Sequence, residues 1–208
     1  FILSFRISIM LKKRIRNHVN PLSFRDRLTD YSIKDSMEMY SDIDLEIGFG
    51  RGRFIEAYAK RHAQRYVLAV EVRRNMVALF KERVKLPNIL PIWGTGQICL
   101  EDVVPDESLS RVFIFHPDPW FKKRHYKRRI VNDALITLIQ QKLRVGGMMY
   151  ISTDVDELYA QMIEICQGST GFQSVEQDSF WESDYQTHWS MFSEKDKRNQ
   201  YFLTYKKE

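Results

Sequence analysis

The residues best placed to do chemistry lie in one stretch, 113–129, where an apolar run meets dense positive charge. The apolar residues 113–115 suit the interior of a strand, whereas Pro117 and Pro119 cannot continue a hydrogen-bonded ladder because they lack a donor. Asp118 is therefore expected at the end of a strand, between two prolines that restrict its backbone. The pattern indicates a strand that delivers an acid to a basic surface.

The basic run that begins at Lys122 has aromatic character inside it, since Tyr126 is interleaved with the charges. Such a run fits contacts with phosphate groups of a nucleic acid, and a solvated surface loop is the alternative. The acid directly upstream favours the binding interpretation. The residues expected to contact phosphate are Lys123, Arg124, His125, Lys127, Arg128 and Arg129.

A second candidate site is a glycine-rich turn between a strand at 44–47 and a helix at 53–59. Gly48 and Gly50 permit backbone conformations that other residues resist and let a ligand approach closely. Glu71 lies near the end of the next strand. A glycine turn after one strand and an acid at the end of the next are typical of nucleoside binding, with a purely structural bend as the alternative.

The glycine spacing bears on which nucleoside is bound. The glycines run G-x-G-x-G, with Arg53 beyond them, rather than the G-x-G-x-x-G of dinucleotide sites. Glu46, just before the turn, disfavours a pyrophosphate and suits a cationic ligand. S-adenosylmethionine carries a sulfonium and an ammonium group, so the acidic pocket predicts this cofactor.

Strands and helices alternate along the chain, which predicts a parallel, doubly wound sheet whose ligands bind at the carboxyl ends of the strands. Asn75 is the expected N-cap of the helix at 76–84, and Gly146 and Gly147 are expected to end the helix that starts at Asn132 or Asp133. The other predicted strands are 66–72, 89–93, 112–115, 148–152, 172–175 and 201–205, and a last helix is expected from 156 or 157 to 167. The candidate residues near strand ends are Glu46, Glu71, Thr95, Asp118 and Asp154.

The composition fits one folded domain of 208 residues, 44% hydrophobic and 28% charged. The net charge of +5 favours a polyanionic partner, with nucleic acid the first candidate. Cys99 and Cys166 show no CxxC spacing, and the histidines show no metal-ligand spacing, so we expect neither a disulfide framework nor a metal site. A reducing cytoplasm and no membrane segment are expected.

The quoted segments resemble the bacterial tRNA (guanine-N7-)-methyltransferases. They read LEIGFGRGRF at 45–54, AVEV at 69–72, FHPDPWFKKRHYKRRIVN at 115–132 and STD at 152–154. The first two are shared loosely with many methyltransferases, whereas the third is specific to this group. The resemblance implies a Rossmann-like class I fold, with a seven-stranded sheet whose last strand is antiparallel. It also implies methyl transfer from S-adenosylmethionine to N7 of the variable-loop guanine of tRNA.

The resemblance also assigns roles to residues. Asp118 matches the catalytic turn acid, and the positions matched to substrate binding are Lys122, Asp154, Thr187 and Ser190. The positions expected at the cofactor are Glu46, Gly48, Gly50, Glu71, Thr95 and Asp118. Two departures stand out: Thr95-Gly96 replaces the family's Asp-Ala, and Ser190 replaces the acid of its T-K-F-E segment.

The division that follows is a basic N-terminal arm at 1–42 and a methyltransferase domain at 43–208. Residues 1–9 are expected to be upstream sequence, because Met10 begins a more ordinary N-terminus. The alternatives are a related methyltransferase acting on another RNA site or a small molecule, or a non-catalytic RNA-binding module with a degenerate cofactor pocket. Cofactor binding would separate these, and the sequence leaves monomer and homodimer equally open.

Overall fold

The computed structural model describes residues 19–208, apart from the side chains of residues 188, 189 and 192. Residues 1–18 of the predicted arm, which include residues 1–9, therefore lie outside the described residues. The described part of the arm packs on the domain: Phe24, Leu28 and Ile33 are buried in its core. The Leu28 amide donates to Asp102 Oδ2 at 2.8 Å. The division at residue 42 stays a prediction.

Seven strands form one sheet in the order β3-β2-β1-β4-β5-β7-β6. Strands β1 to β5 are parallel to one another, and β7 runs antiparallel to both β5 and β6. This arrangement confirms the predicted fold. The strands are β1 (Asp42–Ile47), β2 (Arg65–Glu71), β3 (Ile89–Trp93), β4 (Leu109–Phe115), β5 (Leu143–Thr153), β6 (Phe172–Ser174) and β7 (Tyr201–Lys207).

The central strands are buried on both faces, as their near-continuous apolar sequences require. The helices that cover them are α1 (Lys34–Met39), α2 (Arg53–Arg61), α3 (Arg74–Arg83), α4 (Gly96–Asp102), α5 (Asp133–Lys142), α6 (Asp156–Gly168), α7 (Phe180–Ser183) and α8 (His188–Lys195). On one face, rings from α2, β4, β5 and α7 pack together. Phe180 lies 4.2 Å from Tyr150 and 5.3 Å from Phe113 between ring centroids. This cluster fixes α2 and the C-terminal helices beside the carboxyl ends of the strands.

Two predicted helix boundaries were wrong. Helix α3 starts at Arg74, so Asn75 lies inside its first turn and is not the N-cap. Helix α5 ends at Lys142 and β5 begins at the next residue, so Gly146 and Gly147 do not terminate the helix. Instead, Gly146 has φ +76° at an irregular part of β5, where the pairing with β4 shifts register. The predicted start of α5 at Asn132 or Asp133 is confirmed: the helix begins at Asp133, and Asn132 caps it by accepting from the Leu135 amide at 3.0 Å.

Candidate functional site

Glu46 brings a buried, unsatisfied carboxylate to the carboxyl end of β1. It is only 4% exposed, and its Oε2 atom is buried with no hydrogen-bond partner among the described residues. Burial of the carboxyl group raises the pKa of Glu46 well above its usual range, and the negative charge of Glu71 adds to this shift. A cationic donor placed here would satisfy Oε2 and favour the ionised form.

The glycine turn that follows combines an open position with a tightly packed one. A Cβ at Gly48, which has φ +83°, would meet no atom within 4 Å, so the backbone borders open space. A Cβ at Gly52, which has φ +71°, would lie 2.1 Å from the Phe80 ring. Gly52 therefore lets α2 start close to α3, whereas Gly48 leaves room for a ligand.

Glu71 is buried at the end of β2 and is tied to the turn and to Arg73. Its Oε2 accepts from the Gly50 amide at 3.0 Å, and its two oxygens accept from Arg73 Nε at 3.0 Å and Nη2 at 2.8 Å. The hydrogen bond to Glu71 is the main reason that the pKa of Arg73 is raised, and the charges of Glu71 and Asp118 add to it. The sequence predictions missed Arg73, although its place two residues beyond the acid was a usable signal.

Thr95, expected at the cofactor, caps helix α4, which is not among the elements predicted from the sequence. Its Oγ1 accepts from the Ile98 amide at 3.3 Å at the start of α4. The next residue, Gly96, faces Ile47, and a Cβ there would come within 2.6 Å of Ile47 Cγ2. Threonine thus keeps a capping side chain where the family has Asp, and glycine in place of Ala makes space for Ile47.

Asp118 lies three residues beyond β4, in a turn with unusual backbone on both sides. His116 has φ +46° and Trp120 has φ +44°, conformations that residues with a Cβ adopt infrequently. Asp118 is exposed, and its charge acts on Arg73 across the site. The structure therefore brings the predicted catalytic acid into electrostatic contact with the glycine-turn region.

The basic residues after Asp118 divide into an anchor and a surface. Arg129 is 3% exposed, although it was expected to contact phosphate. Its Nε donates to the Pro119 carbonyl at 2.8 Å, its Nη2 contacts Glu157 at 2.8 Å, and its guanidinium lies 3.7 Å from the Tyr126 ring centre. Burial and these contacts make Arg129 an anchor of the loop, and we remove it from the proposed phosphate contacts.

The other loop cations are more accessible. Arg128 is half-buried over the Trp120 ring at 5.0 Å, which agrees with a packing role for Trp120. The pKa of His125 is lowered by desolvation and by the neighbouring cations, so His125 contributes little charge at pH 7. The exposed cations in this loop are Lys122, Lys123, Arg124 and Lys127.

Asp154 directly follows β5 and joins the end of that strand to the C-terminal region. Its Oδ2 accepts from Ser193 at 3.0 Å and from Arg198 at 3.2 Å, and its Oδ1 lies 3.6 Å from His116 Nδ1. The pKa of Asp154 lies well below its usual range, mainly because of its interaction with His116. Hydrogen bonds from Ser193 and Arg198 lower it further. Asp154 does not cap α6, because the N-cap residue of that helix is Val155 and no side chain makes a cap hydrogen bond there.

Thr187 and Ser190 are buried and cap α8 reciprocally. The Ser190 amide donates to Thr187 Oγ1 at 2.8 Å, and the Thr187 amide donates to Ser190 Oγ at 3.0 Å. This is the arrangement of a capping box, in which a glutamate commonly takes the second position. Ser190 thus performs at short range the capping that a longer acid can provide.

None of the helices in the described part of the chain has the length and apolarity that spanning a bilayer requires. Among the same residues, no three His, Cys, Asp or Glu side chains are grouped as metal ligands would be.

Comparisons with known proteins agree with this geometry. Residues 41–203 match a family model described as "Putative methyltransferase". The chain is 31% identical over 191 residues to the tRNA (guanine-N(7)-)-methyltransferase of Thermosynechococcus vestitus, covering 88% of this chain and 87% of the relative. It is 35% identical over 175 residues to the same enzyme of Synechococcus elongatus, covering 79% and 81%.

Solved structures share the fold at low sequence identity. The 16S rRNA methyltransferase KamB superposes with a TM-score of 0.57 at 15% identity, covering 82% of this chain and 90% of that one. The aminoglycoside resistance methyltransferase NpmB1 gives a TM-score of 0.54 at 16% identity, covering 85% and 92%.

Proposed function

This chain belongs to the family of the tRNA (guanine-N7-)-methyltransferases, and from that premise we propose that it methylates N7 of the variable-loop guanine of tRNA with S-adenosylmethionine as donor. One observation of the structure carries the proposal. Buried Glu46, with an unsatisfied oxygen, lies beside an open glycine turn at the same sheet edge that presents Asp118 and exposed cations.

The residues present fit the proposed cofactor. Glu46 offers a buried acceptor to a cationic group, and Gly48 leaves open space beside the turn. Glu71 offers carboxylate oxygens suited to ribose hydroxyls, in exchange for part of its pairing with Arg73. Thr95 contributes its backbone at the start of α4, because its hydroxyl is already used by the cap.

S-adenosylmethionine supplies an activated methyl group. Guanine N7 has an in-plane lone pair and no proton to lose, so the protein needs to position the base more than to deprotonate it. Proximity and alignment can supply about 7–11 kcal/mol in favourable cases. Asp118 orients the guanine and offsets the positive charge that develops on it, while Arg73 couples Asp118 to the cofactor side.

The exposed cations hold the tRNA backbone in this proposal. Lys122, Lys123, Arg124 and Lys127 provide the charge, and Arg129 keeps their loop in place. Asp154, Thr187 and Ser190 border the substrate side, where they fix the end of β5 against α8. Both cysteines are free and buried, which suits action in the cytoplasm on tRNA.

The test is incubation of the protein with labelled S-adenosylmethionine and bulk tRNA, followed by nucleoside mapping. We expect label in 7-methylguanosine at the variable loop. Label in another nucleoside would support a related RNA methyltransferase instead. Calorimetry with the cofactor alone provides the second arm, because a degenerate RNA-binding module would give no binding heat.

A further inference from the structure

Phe121 is an exposed aromatic residue that none of the roles above explains. It is 66% exposed, and the next most exposed of the described phenylalanines, Phe202, is 41% exposed. It lies three residues after Asp118 and directly before Lys122, between the proposed catalytic acid and the exposed cations.

The exposure of Phe121 belongs to an anchored loop. On one side of it, Arg129 Nε donates to the Pro119 carbonyl at 2.8 Å. Trp120, its direct neighbour, packs against His125 with ring centroids 5.7 Å apart and lies under the Arg128 guanidinium. The backbone that presents Phe121 is therefore fixed by its neighbours, while its own ring is left in contact with water.

The surroundings of Phe121 select the kind of occupant. Three consecutive exposed cations, Lys122, Lys123 and Arg124, follow it. An apolar protein surface would have to desolvate these charges, whereas a nucleic acid offers phosphates to the cations and the face of a base to the ring. Charge complementarity and the aromatic ring thus agree on one partner.

We propose that Phe121 is a stacking platform for a nucleobase of the bound tRNA, next to the guanine that Asp118 orients. The proposal rests on the proposed function for the identity of the RNA. It adds a base contact to the phosphate contacts proposed for the exposed cations of this loop. Stacking of this kind tolerates any base, so Phe121 contributes affinity and placement of the strand more than sequence choice.

The experiment measures tRNA binding, at several salt concentrations, by Phe121→Ala, Phe121→Leu and Phe121→Tyr proteins. We expect about ten-fold weaker binding for the Ala and Leu variants and near wild-type binding for Tyr, with an unchanged salt dependence. Lys123→Ala is the phosphate control and should lower the slope of log K against log salt by about one. Leu79→Ala, which truncates a side chain that is 58% exposed on α3, should change neither quantity.

A second readout reports stacking directly. 2-Aminopurine placed in the variable loop of a synthetic tRNA should be quenched by wild type and Phe121→Tyr, and not by Phe121→Leu. Wild-type affinity of Phe121→Ala, or quenching by Phe121→Leu, would overturn the proposal. A change from dimer to monomer in Phe121→Ala on sedimentation would also overturn it, by making this surface an interface between copies.

These measurements separate this proposal from the proposed function, since binding needs no methyl transfer. If wild type binds and quenches but forms no 7-methylguanosine, only the proposed function fails. If wild type methylates tRNA while Phe121→Ala binds normally, only the stacking proposal fails.

Discussion

Replacing Glu46 with glutamine should weaken cofactor binding without destabilising the ligand-free protein. The buried Oε2 atom has no partner among the described residues, so in the ligand-free protein its loss removes no hydrogen bond. A cationic donor at this oxygen would form one charge-assisted hydrogen bond, worth about 1.5–3 kcal/mol. Loss of this hydrogen bond corresponds to a dissociation constant for the cofactor that is about 10 to 150 times larger.

Asp44 provides a matched control two residues earlier on the same strand. It is fully buried, but its carboxylate is paired with Arg65, at 2.5 and 2.6 Å, and accepts from the Tyr58 hydroxyl at 2.8 Å. Asp44→Asn should therefore lower the free energy of unfolding by up to about 3–5 kcal/mol, because it leaves buried Arg65 with only its ion pair to Asp42 at 3.2 Å. The two substitutions remove buried acids from one strand and should have opposite consequences.

The dependence on pH gives Glu46 a second signature. The pKa of Glu46 is raised in the folded state above its value in the unfolded chain, so the folded protein binds more protons than the unfolded chain at pH values between these two pKa values. The free energy of unfolding therefore falls as pH rises through this window, and Glu46→Gln should abolish that fall. Within the window, binding of the cationic cofactor should also release a proton from wild type and none from Glu46→Gln.

Calorimetry in buffers of different ionisation enthalpy measures both the affinity and the proton release. Equal affinity of wild type and Glu46→Gln, with equal proton release, would refute the assignment of Glu46 to the cofactor. A large loss of stability in Glu46→Gln would show that the carboxylate has a structural partner.

Three further outcomes follow from the same site. Asp118→Ala should lower the rate of tRNA methylation about ten-fold and leave tRNA affinity unchanged. This is less than the 10²–10³-fold loss of rate that is typical for water-excluded groups, because Asp118 is exposed. Single-turnover kinetics with parallel binding measurements test this. Arg129→Ala should lower the free energy of unfolding by about 1–3 kcal/mol, because the Pro119 carbonyl loses its hydrogen-bond donor. Lys123→Ala should change the free energy of unfolding by less than about 0.5 kcal/mol. Denaturant unfolding compares the two variants. Gly96→Ala should lower the free energy of unfolding by about 1–3 kcal/mol, because it forces a Cβ against Ile47. The double variant with Ile47→Ala should be more stable than the sum of the two single effects predicts. Strict additivity in thermal unfolding would contradict the contact.

Much of the fold could be predicted from local sequence patterns. The strand of Ile89 to Trp93 and the start of α5 at Asn132 or Asp133 could be predicted because apolar runs and helix-starting residues act over a few neighbouring positions. Helices α4 and α8, of seven and eight residues, were missed because so short a segment shows little of the apolar periodicity that identifies a helix. Nothing in the sequence separates such a segment from a turn.

The sequence by itself determined that this chain has a doubly wound sheet, a glycine turn flanked by acids, and a basic loop beyond Asp118. It did not determine which charges in that loop are accessible to solvent, because Arg129 and Lys123 are both cations in the same basic run. The tertiary structure decided this: Arg129 is buried with its guanidinium on the Pro119 carbonyl and on Glu157, 28 residues further along the chain, whereas Lys123 faces water. Likewise, Glu46 became distinctive only when folding removed its carboxylate from water beside Glu71, since desolvation and like-charge repulsion depend on neighbours that the sequence does not place.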